Sequence, residues 1–271
     1  MSKFLPKIIA AHDISGMGKA SLGTAMPILS YMGCYVCPLP TAVLSTITGA
    51  FSGYKITDLT SQMKDTVEHW STLGIDFDYI YSGYLGSHKQ VDIILRAHKI
   101  FNCCLVVDPV VADNGKLYAN MGEDMVNDMK RLVSHADIIT PNVTEAMYLT
   151  DTKEEPQNYE EAKVLLKKLC DMGPKLVIIT SCFWNGELYV CGYDSKNDGY
   201  IKVKCEYIKG SYDGNGDIFT SVFLGAVAGG DDVKTAIERA SDFVTKGIKI
   251  TLENNIPRRE GIAYEKILHT L

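Results

Sequence analysis

A chain of 271 residues, 46% apolar and 22% charged, can bury a substantial core, as one large domain or two small ones. Its 27 Lys and Arg stand against 33 Asp and Glu, a net charge of −6. That balance weighs against nucleic-acid and anionic-membrane partners, but not against a phosphorylated ligand held by local N–H groups.

In chain order, residues 1–7 lack the apolar core and small-residue cleavage site of a signal peptide, and no later stretch is long and apolar enough to cross a bilayer. The expected home is the cytosol, without membrane or nucleic-acid partners. Near-continuous apolar runs at 7–12, 35–39, 79–82, 104–107, 138–140 and 176–180 read as strands covered on both faces. Helical periodicity lies between them at 20–32, 57–73, 89–99, 123–134 and 160–171, the second opening on a capping pattern at 57–62. This βα repetition predicts a doubly wound α/β fold with a parallel sheet. After residue 186 the pattern changes. Runs at 187–194 and 200–208, joined by the polar turn 195–199, predict an antiparallel hairpin at the sheet edge. Helices are expected at 218–227 and 232–246, with a third from 259 to the C-terminus. The first helix follows the first strand at once, with no inserted antiparallel sheet. No Pro/Gly/Ser linker, repeat or low-complexity tract divides the sequence, so one domain over 1–271 is expected.

Eight cysteines, at 34, 37, 103, 104, 170, 182, 191 and 205, fall mostly in apolar segments and read as buried free thiols. Cys34 and Cys37 have the spacing of half a zinc site or a redox pair, yet no matching pair accompanies them. On a strand they would face opposite ways.

In a doubly wound fold, functional groups gather beyond the carboxyl ends of the strands. His12-Asp13, Ser82-Gly83-Tyr84, Asp108-Pro109, Pro141-Asn142 with Glu145, and Thr180-Ser181 all stand at such ends. The segment Asp213-Gly214-Asn215-Gly216-Asp217 opens an apolar helix. Glycines admit a ligand close to the backbone, and the unpaired N–H groups of a helix start favour an anion. By itself the segment is equally a plain cap, with Asp213 or Asp217 bonding the helix start.

These motifs, together with Ser82-Gly83-Tyr84-Leu85-Gly86-Ser87, Asp108-Pro109-Val110 and Thr140-Pro141-Asn142, resemble the ribokinase-like superfamily from end to end. Within it the chain is similar to the pyridoxal/pyridoxine kinases and the related hydroxymethylpyrimidine kinases. The Ser-Gly-Tyr-Leu-Gly segment and the Leu-Pro-Thr run near residue 40 favour the pyridoxal branch. The resemblance implies a three-layer α/β/α ribokinase-like fold, with a mostly parallel central sheet and an antiparallel edge hairpin. It implies phosphorylation of the 5′-hydroxymethyl group of pyridoxal, pyridoxine or pyridoxamine by ATP with Mg2+, a monovalent cation being left open, in a homodimer. Asp217 would be the catalytic base, and Gly214, Asn215 and Gly216 the anion hole. His12, Asp13, Thr48 and Tyr84 would contact the substrate. Asp108, Asp113, Tyr118, Asn142, Glu145, Thr180 and Ser181 would serve the nucleotide and its phosphates. Asp108 and Glu145 would also hold the metal, partly through water.

The sequence departs from the pattern twice. Asp13-Ile14-Ser15-Gly16 resembles the hydroxymethylpyrimidine kinases at a place where pyridoxal kinases carry Ser-His. Asn215 replaces a common threonine, while keeping the backbone N–H. The alternatives are therefore a hydroxymethylpyrimidine kinase and, behind it, a non-catalytic vitamin-B6-binding protein. A sugar or nucleoside kinase is disfavoured by the absence of an inserted lid sheet.

Overall fold

Aliphatic and β-branched runs form the central strands because each buries both faces. In the first strand Ile8 faces one apolar cluster while Ile9 and Ala11 face the other. Leu105, Val106 and Val107 divide in the same alternating way. The computed structural model describes residues 4–119, 121–209 and 212–271.

The N-terminal third contains β1 (Lys7–Ala11), β2 (Ile14–Ser15), α1 (Leu22–Tyr31), β3 (Tyr35–Pro38), β4 (Ala42–Leu44), β5 (Ile56–Asp58) and α2 (Thr60–Ser71). The middle contains β6 (Tyr79–Ser82), α3 (His88–Phe101), β7 (Cys104–Val107), β8 (Ala112–Asp113), β9 (Lys116–Leu117), α4 (Glu123–Val133), β10 (Ile138–Ile139), α5 (Val143–Leu149) and α6 (Tyr159–Asp171). The chain ends with β11 (Leu176–Trp184), β12 (Glu187–Asp194), β13 (Gly199–Cys205), α7 (Asn215–Gly229) and α8 (Val233–Glu253).

The main sheet has eight strands in the order β13-β12-β11-β10-β7-β6-β1-β3. The six from β3 to β11 run parallel, and β12 and β13 add the antiparallel edge hairpin. One face is covered by α2 to α6, the other by α1, α7 and α8. This is the three-layer ribokinase-like architecture. After β1 the chain goes first to β3 on one side and later to β6 on the other. A crevice therefore opens beyond the carboxyl end of β1, where His12 and Asp13 stand.

Four expectations change. A small three-stranded sheet, β2-β4-β5, stands beside the main sheet, so the first helix does not follow the first strand directly. Its two- and three-residue strands are too short for periodicity to reveal. The strand at 176–180 runs on to Trp184 through a bulge between Ile179 and Cys182, which holds Thr180 and Ser181. Helix α8 continues past 246 to Glu253. The glycine at 247 lies inside the helix, where a Cβ would stand 2.6 Å from the Ile262 side chain. Beyond α8, three short 3-10 turns replace the expected helix, since residues 261–264 are buried and their packing overrides helical continuation.

Cys34 belongs to one apolar cluster and Cys37 packs against the other. All eight cysteines are free thiols, as their apolar context predicts. Asp58, inside the predicted capping segment 57–62 and one position before the N-cap Leu59, accepts the Thr60 N–H at 2.9 Å. No helix among the described residues is long and apolar enough to cross a membrane.

Candidate active site

Helix α7 starts at the carboxyl end of the sheet with its N-cap, Gly214, at φ 83°. A side chain at 214 would suffer both that backbone angle and a clash with the Lys19 carbonyl oxygen. Asn215, Gly216 and Asp217 form the first turn, whose N–H groups have no acceptor inside the helix. No side chain caps α7, so neither Asp213 nor Asp217 is the plain cap considered above. Instead Asp217 Oδ2 accepts the Ser21 N–H at 2.8 Å, and Oδ1 lies 3.7 Å from His12 Nδ1. Burial pushes the Asp217 carboxyl up to about 7; the Ser21 N–H opposes this and the charge of Asp13 adds to it. A carboxylate so placed can take a proton near neutral pH.

Asp108, at the end of β7, is 6% exposed and approaches the same helix start: a Cβ on Gly216 would lie 3.4 Å from its Oδ2. Glu145 is held more firmly. Asn142 and Glu145 form a capping box on α5, with Asn142 N–H donating to Oε2 at 2.9 Å and Glu145 N–H to Asn142 Oδ1 at 2.9 Å. Val111 N–H donates to Glu145 Oε1 at 3.2 Å, and Asn142 Nδ2 donates to the Ala112 carbonyl at 2.9 Å. Both acids are held well above the usual carboxylate range, mainly by burial. A neighbouring charge adds to this, Asp217 for Asp108 and Asp108 for Glu145.

A hard cation fits this donor set. Asp108 has uncommitted oxygens, whereas both Glu145 oxygens already accept backbone N–H groups and reach a cation more readily through water. The described residues hold no cluster of three or more His, Cys, Asp or Glu suited to a metal. Further ligands would have to come from substrate and water, the habit of Mg2+ at phosphates.

The predicted loop after the fourth parallel strand is a two-stranded flap, β8-β9. Its tip is tied to α5 by the Gly115 N–H, which donates to Thr144 Oγ1 at 3.0 Å. Asp113 accepts the Asn114 N–H at 2.8 Å, and Tyr118 is 39% exposed. Burial raises the Tyr118 hydroxyl, and the charges of Glu145, Asp113, Asp108 and Asp217 raise it further. Asp213 is raised by burial, with Arg258 opposing and Asp113 adding. Across the crevice, Thr48 is exposed on a loop whose Gly49 abuts the Asp213 carboxylate. The Thr180 N–H donates to the Pro141 carbonyl at 2.9 Å, which aligns the bulge with the end of β10.

Two expected substrate contacts sit in the wall of the crevice and not on its surface. The His12 ring is fully buried, 4.2 Å from the Tyr81 ring edge-on and pressed against Gly83, where a Cβ would overlap it. Burial lowers its pKa to about 3, so it is neutral. Both Asp13 oxygens are engaged, with Ser21 Oγ at 2.5 Å and Ser15 Oγ at 3.0 Å. Tyr84 is half-buried at the end of β6, its carbonyl accepting from Thr41 Oγ1 at 3.0 Å.

Sequence reasoning missed Gln90, which is fully buried and ties this loop to the small sheet. Its Oε1 accepts the Gly86 N–H at 2.7 Å. Its Nε2 lies 2.9 Å from the Thr41 carbonyl, 3.0 Å from Asp58 Oδ2 and 3.0 Å from Thr60 Oγ1. The Ser87-x-x-Gln90 spacing signals a helix start, but no sequence pattern signals this bracing. Ser21 was missed as well.

Similarity to known proteins agrees with this geometry. A curated pyridoxal kinase of Dictyostelium discoideum is 27% identical over 97% of this chain and 92% of its own length. A provisionally assigned phosphomethylpyrimidine kinase from Bacteroides thetaiotaomicron VPI-5482, in an orthorhombic crystal form with pyridoxal, is 44% identical. It superposes with a TM-score of 0.93, covering 98% of this chain and 95% of that one. The pyridoxal kinase of Lactobacillus plantarum is 28% identical, with a TM-score of 0.91 over 98% of this chain and 96% of its own. The family model described as phosphomethylpyrimidine kinase matches residues 25–261. The chain therefore belongs to the phosphomethylpyrimidine kinase family, alongside pyridoxal kinases, in the ribokinase-like superfamily.

Proposed function

We propose that the protein transfers the γ-phosphoryl group of ATP to the 5′-hydroxymethyl group of pyridoxal, pyridoxine or pyridoxamine. The observation that carries this reading is Asp217, a buried carboxylate raised to about 7 at a helix start whose N–H groups point outward. The pyridoxal held by the 44%-identical relative supports the substrate class.

In this reading Asp217 takes the hydroxymethyl proton as that oxygen bonds to phosphorus and the bond to the ADP oxygen breaks. Backbone N–H groups of Gly214, Asn215 and Gly216 stabilise charge on the transferring group, which an Asn side chain at 215 does not disturb. Asp108 and, through water, Glu145 would hold Mg2+, which when bound would neutralise phosphate charge and align the phosphates. Asp113 and Tyr118 on the flap, with Asn142, cover the phosphates and exclude water. Thr180 and Ser181 stand at the nucleotide side, while Thr48 and Tyr84 line the substrate ring. His12 and Asp13 shape the pocket from behind. A cytoplasmic homodimer, each chain one kinase domain, completes the reading.

A second reading, hydroxymethylpyrimidine phosphorylation, is favoured by the family description and by Asp13-Ile14-Ser15-Gly16. A coupled ADP-release assay with pyridoxal, pyridoxine, pyridoxamine and hydroxymethylpyrimidine separates the two. We expect turnover on the pyridines to exceed that on the pyrimidine by at least about tenfold, the scale of one well-used pocket contact. Equal or faster turnover of the pyrimidine would select the second reading. ADP release with none of the four alcohols would leave only a binding protein.

A further inference from the structure

We propose that Ser21 is a positioning residue that orients Asp217, and that Asp13 holds Ser21 in the backbone conformation this requires. The inference rests on the reading of Asp217 as the base.

Eight non-glycine residues among those described have positive φ. Six are Asn or Asp near the left-handed helical region, which tolerates them. The other two are Ser21, which bonds Asp217, and Ser181, in the bulge of β11. Ser21 has φ 55° and ψ −136°, a region that side-chain-bearing residues avoid. Such a conformation persists only where its surroundings over-determine it.

At Ser21 the surroundings are all visible. Its carbonyl accepts the Ala25 N–H at 2.8 Å and so fixes the start of α1, while the Leu22 N–H bonds the Asp13 carbonyl at 3.1 Å. Its hydroxyl donates to Asp13 Oδ1 at 2.5 Å in a buried bond. The other Asp13 oxygen is occupied by Ser15 at 3.0 Å. With the α-carbon and hydroxyl fixed, φ alone decides where the Ser21 N–H points, and at 55° it points to Asp217 Oδ2.

That bond is the single hydrogen bond to the Asp217 carboxylate among the described residues. The other ionisable groups facing it are neutral His12, Tyr81 and Tyr118 and the acids Asp13 and Asp108, none of which supplies a cation. Holding Oδ2 leaves Oδ1 to receive the substrate proton. Without the tie, the carboxylate is free to rotate about χ2 and the productive geometry is diluted.

Turnover and KM for pyridoxal and ATP of Ser21→Ala, Ser21→Gly and Asp13→Asn, alone and in an Asp217→Asn background, test this. Ser21→Ala keeps the unfavourable φ but loses the hydroxyl tie. We expect kcat to fall about tenfold, with both KM values within about twofold, as for a misaligned reacting group. Asp13→Asn should fall in the same direction. Ser21→Gly lacks the hydroxyl too, yet glycine adopts this backbone freely and keeps the N–H, so it should recover most of the loss. In the Asp217→Asn background Ser21→Ala should cost nothing further, because the group it orients is gone.

Three results would overturn the proposal. They are Ser21→Gly as slow as Ser21→Ala at equal melting temperature, a loss confined to KM, or a loss that persists beside Asp217→Asn. Near-normal turnover of Asp217→Asn alone would refute the base assignment itself, a failure distinct from the other three.

Discussion

On the outer surface Arg131 in α4 reaches Asp92 of α3 at 2.7 Å and Asp128 of its own helix at 3.0 Å. At the carboxyl ends of the parallel strands, Asp13, Asp108, Glu145 and Asp217 lie close together with no Lys or Arg ion pair among the described residues. The surface pairs keep their charges in water and gain little from each other. The buried acids are desolvated, repel one another and are pushed toward protonation. A fold selected for stability alone would not collect four carboxylates in one crevice. In the proposed reading, Mg2+ held by Asp108 and Glu145 would supply the missing positive charge.

The largest expected effect breaks this comparison at its centre. Asp217→Asn should lower kcat by about 10³-fold, the loss of a general base, with the fold intact. The same variant reports the electrostatic cost of the site. The folded-state pKa of about 7 lies above the reference 3.8, so the contribution of Asp217 to stability is fully present below 3.8 and is lost as pH rises through 7. Metal-free wild type should therefore lose stability relative to Asp217→Asn between pH 4 and 7. At pH 7 the variant should melt higher, by up to ~5 °C. Thermal scans of both proteins across that range, with chelator present, give the answer. A variant that melts lower at pH 7 than wild type, yet still turns over, would return Asp217 to the role of a helix-start residue.

The two regions also differ in how far the sequence exposed them. Strong local signals marked the parallel strands, the edge hairpin and the glycine-bounded start of α7. Apolar runs and glycine spacing are properties of neighbouring residues. Asp108, Asn142 and Glu145 were visible because a parallel sheet places every strand's carboxyl end on one side. Within the segment from His12 to Asp58, α1 and β3 were legible but the small sheet was not. There strands of two or three residues pair across gaps of more than ten residues, and the decisive bonds are long-range. His12 and Asp13 read as pocket residues because a strand end normally faces the crevice. Only the packing of Tyr81 and Gly83, and the serines at 15 and 21, turns them inward. The missed helix α5 is only seven residues long, and the tail after α8 is shaped by burial and not by propensity.

Gln90 sharpens the comparison with an intermediate effect. Its amide is buried like the acids of the crevice, but it is neutral and fully partnered. Gln90→Ala leaves the Gly86 N–H and the Thr41 carbonyl without their partner and releases the loop carrying Tyr84. We expect a stability loss of about 2–3 kcal/mol, typical of breaking a buried network. The KM for pyridoxal should rise while the KM for ATP stays near wild type, because Asp108, Glu145 and the start of α7 are untouched. Denaturant melts and separate KM determinations distinguish this from general loosening, which would raise both constants together.

The smallest effect belongs to the surface pair that opened the comparison. The Arg131 side chain is 42% exposed, and its partners are 58% and 22% exposed. Water screens such pairs, and ordering a long side chain offsets part of the attraction, so Arg131→Ala should cost only about 0.5 kcal/mol. For a chain of this size that is a shift of about 1–2 °C in melting temperature. It should shrink further in 1 M salt, where the Debye length falls to about 3 Å, and kcat should not change. The bidentate reach of Arg131 between α3 and α4 is the one feature that argues for more, since a guanidinium bridging two helices also fixes their spacing. A salt-insensitive loss of several degrees would mean that Arg131 packs the two helices together. Opposite charges on the surface would then contribute to the fold in a way that the like charges of the crevice do not.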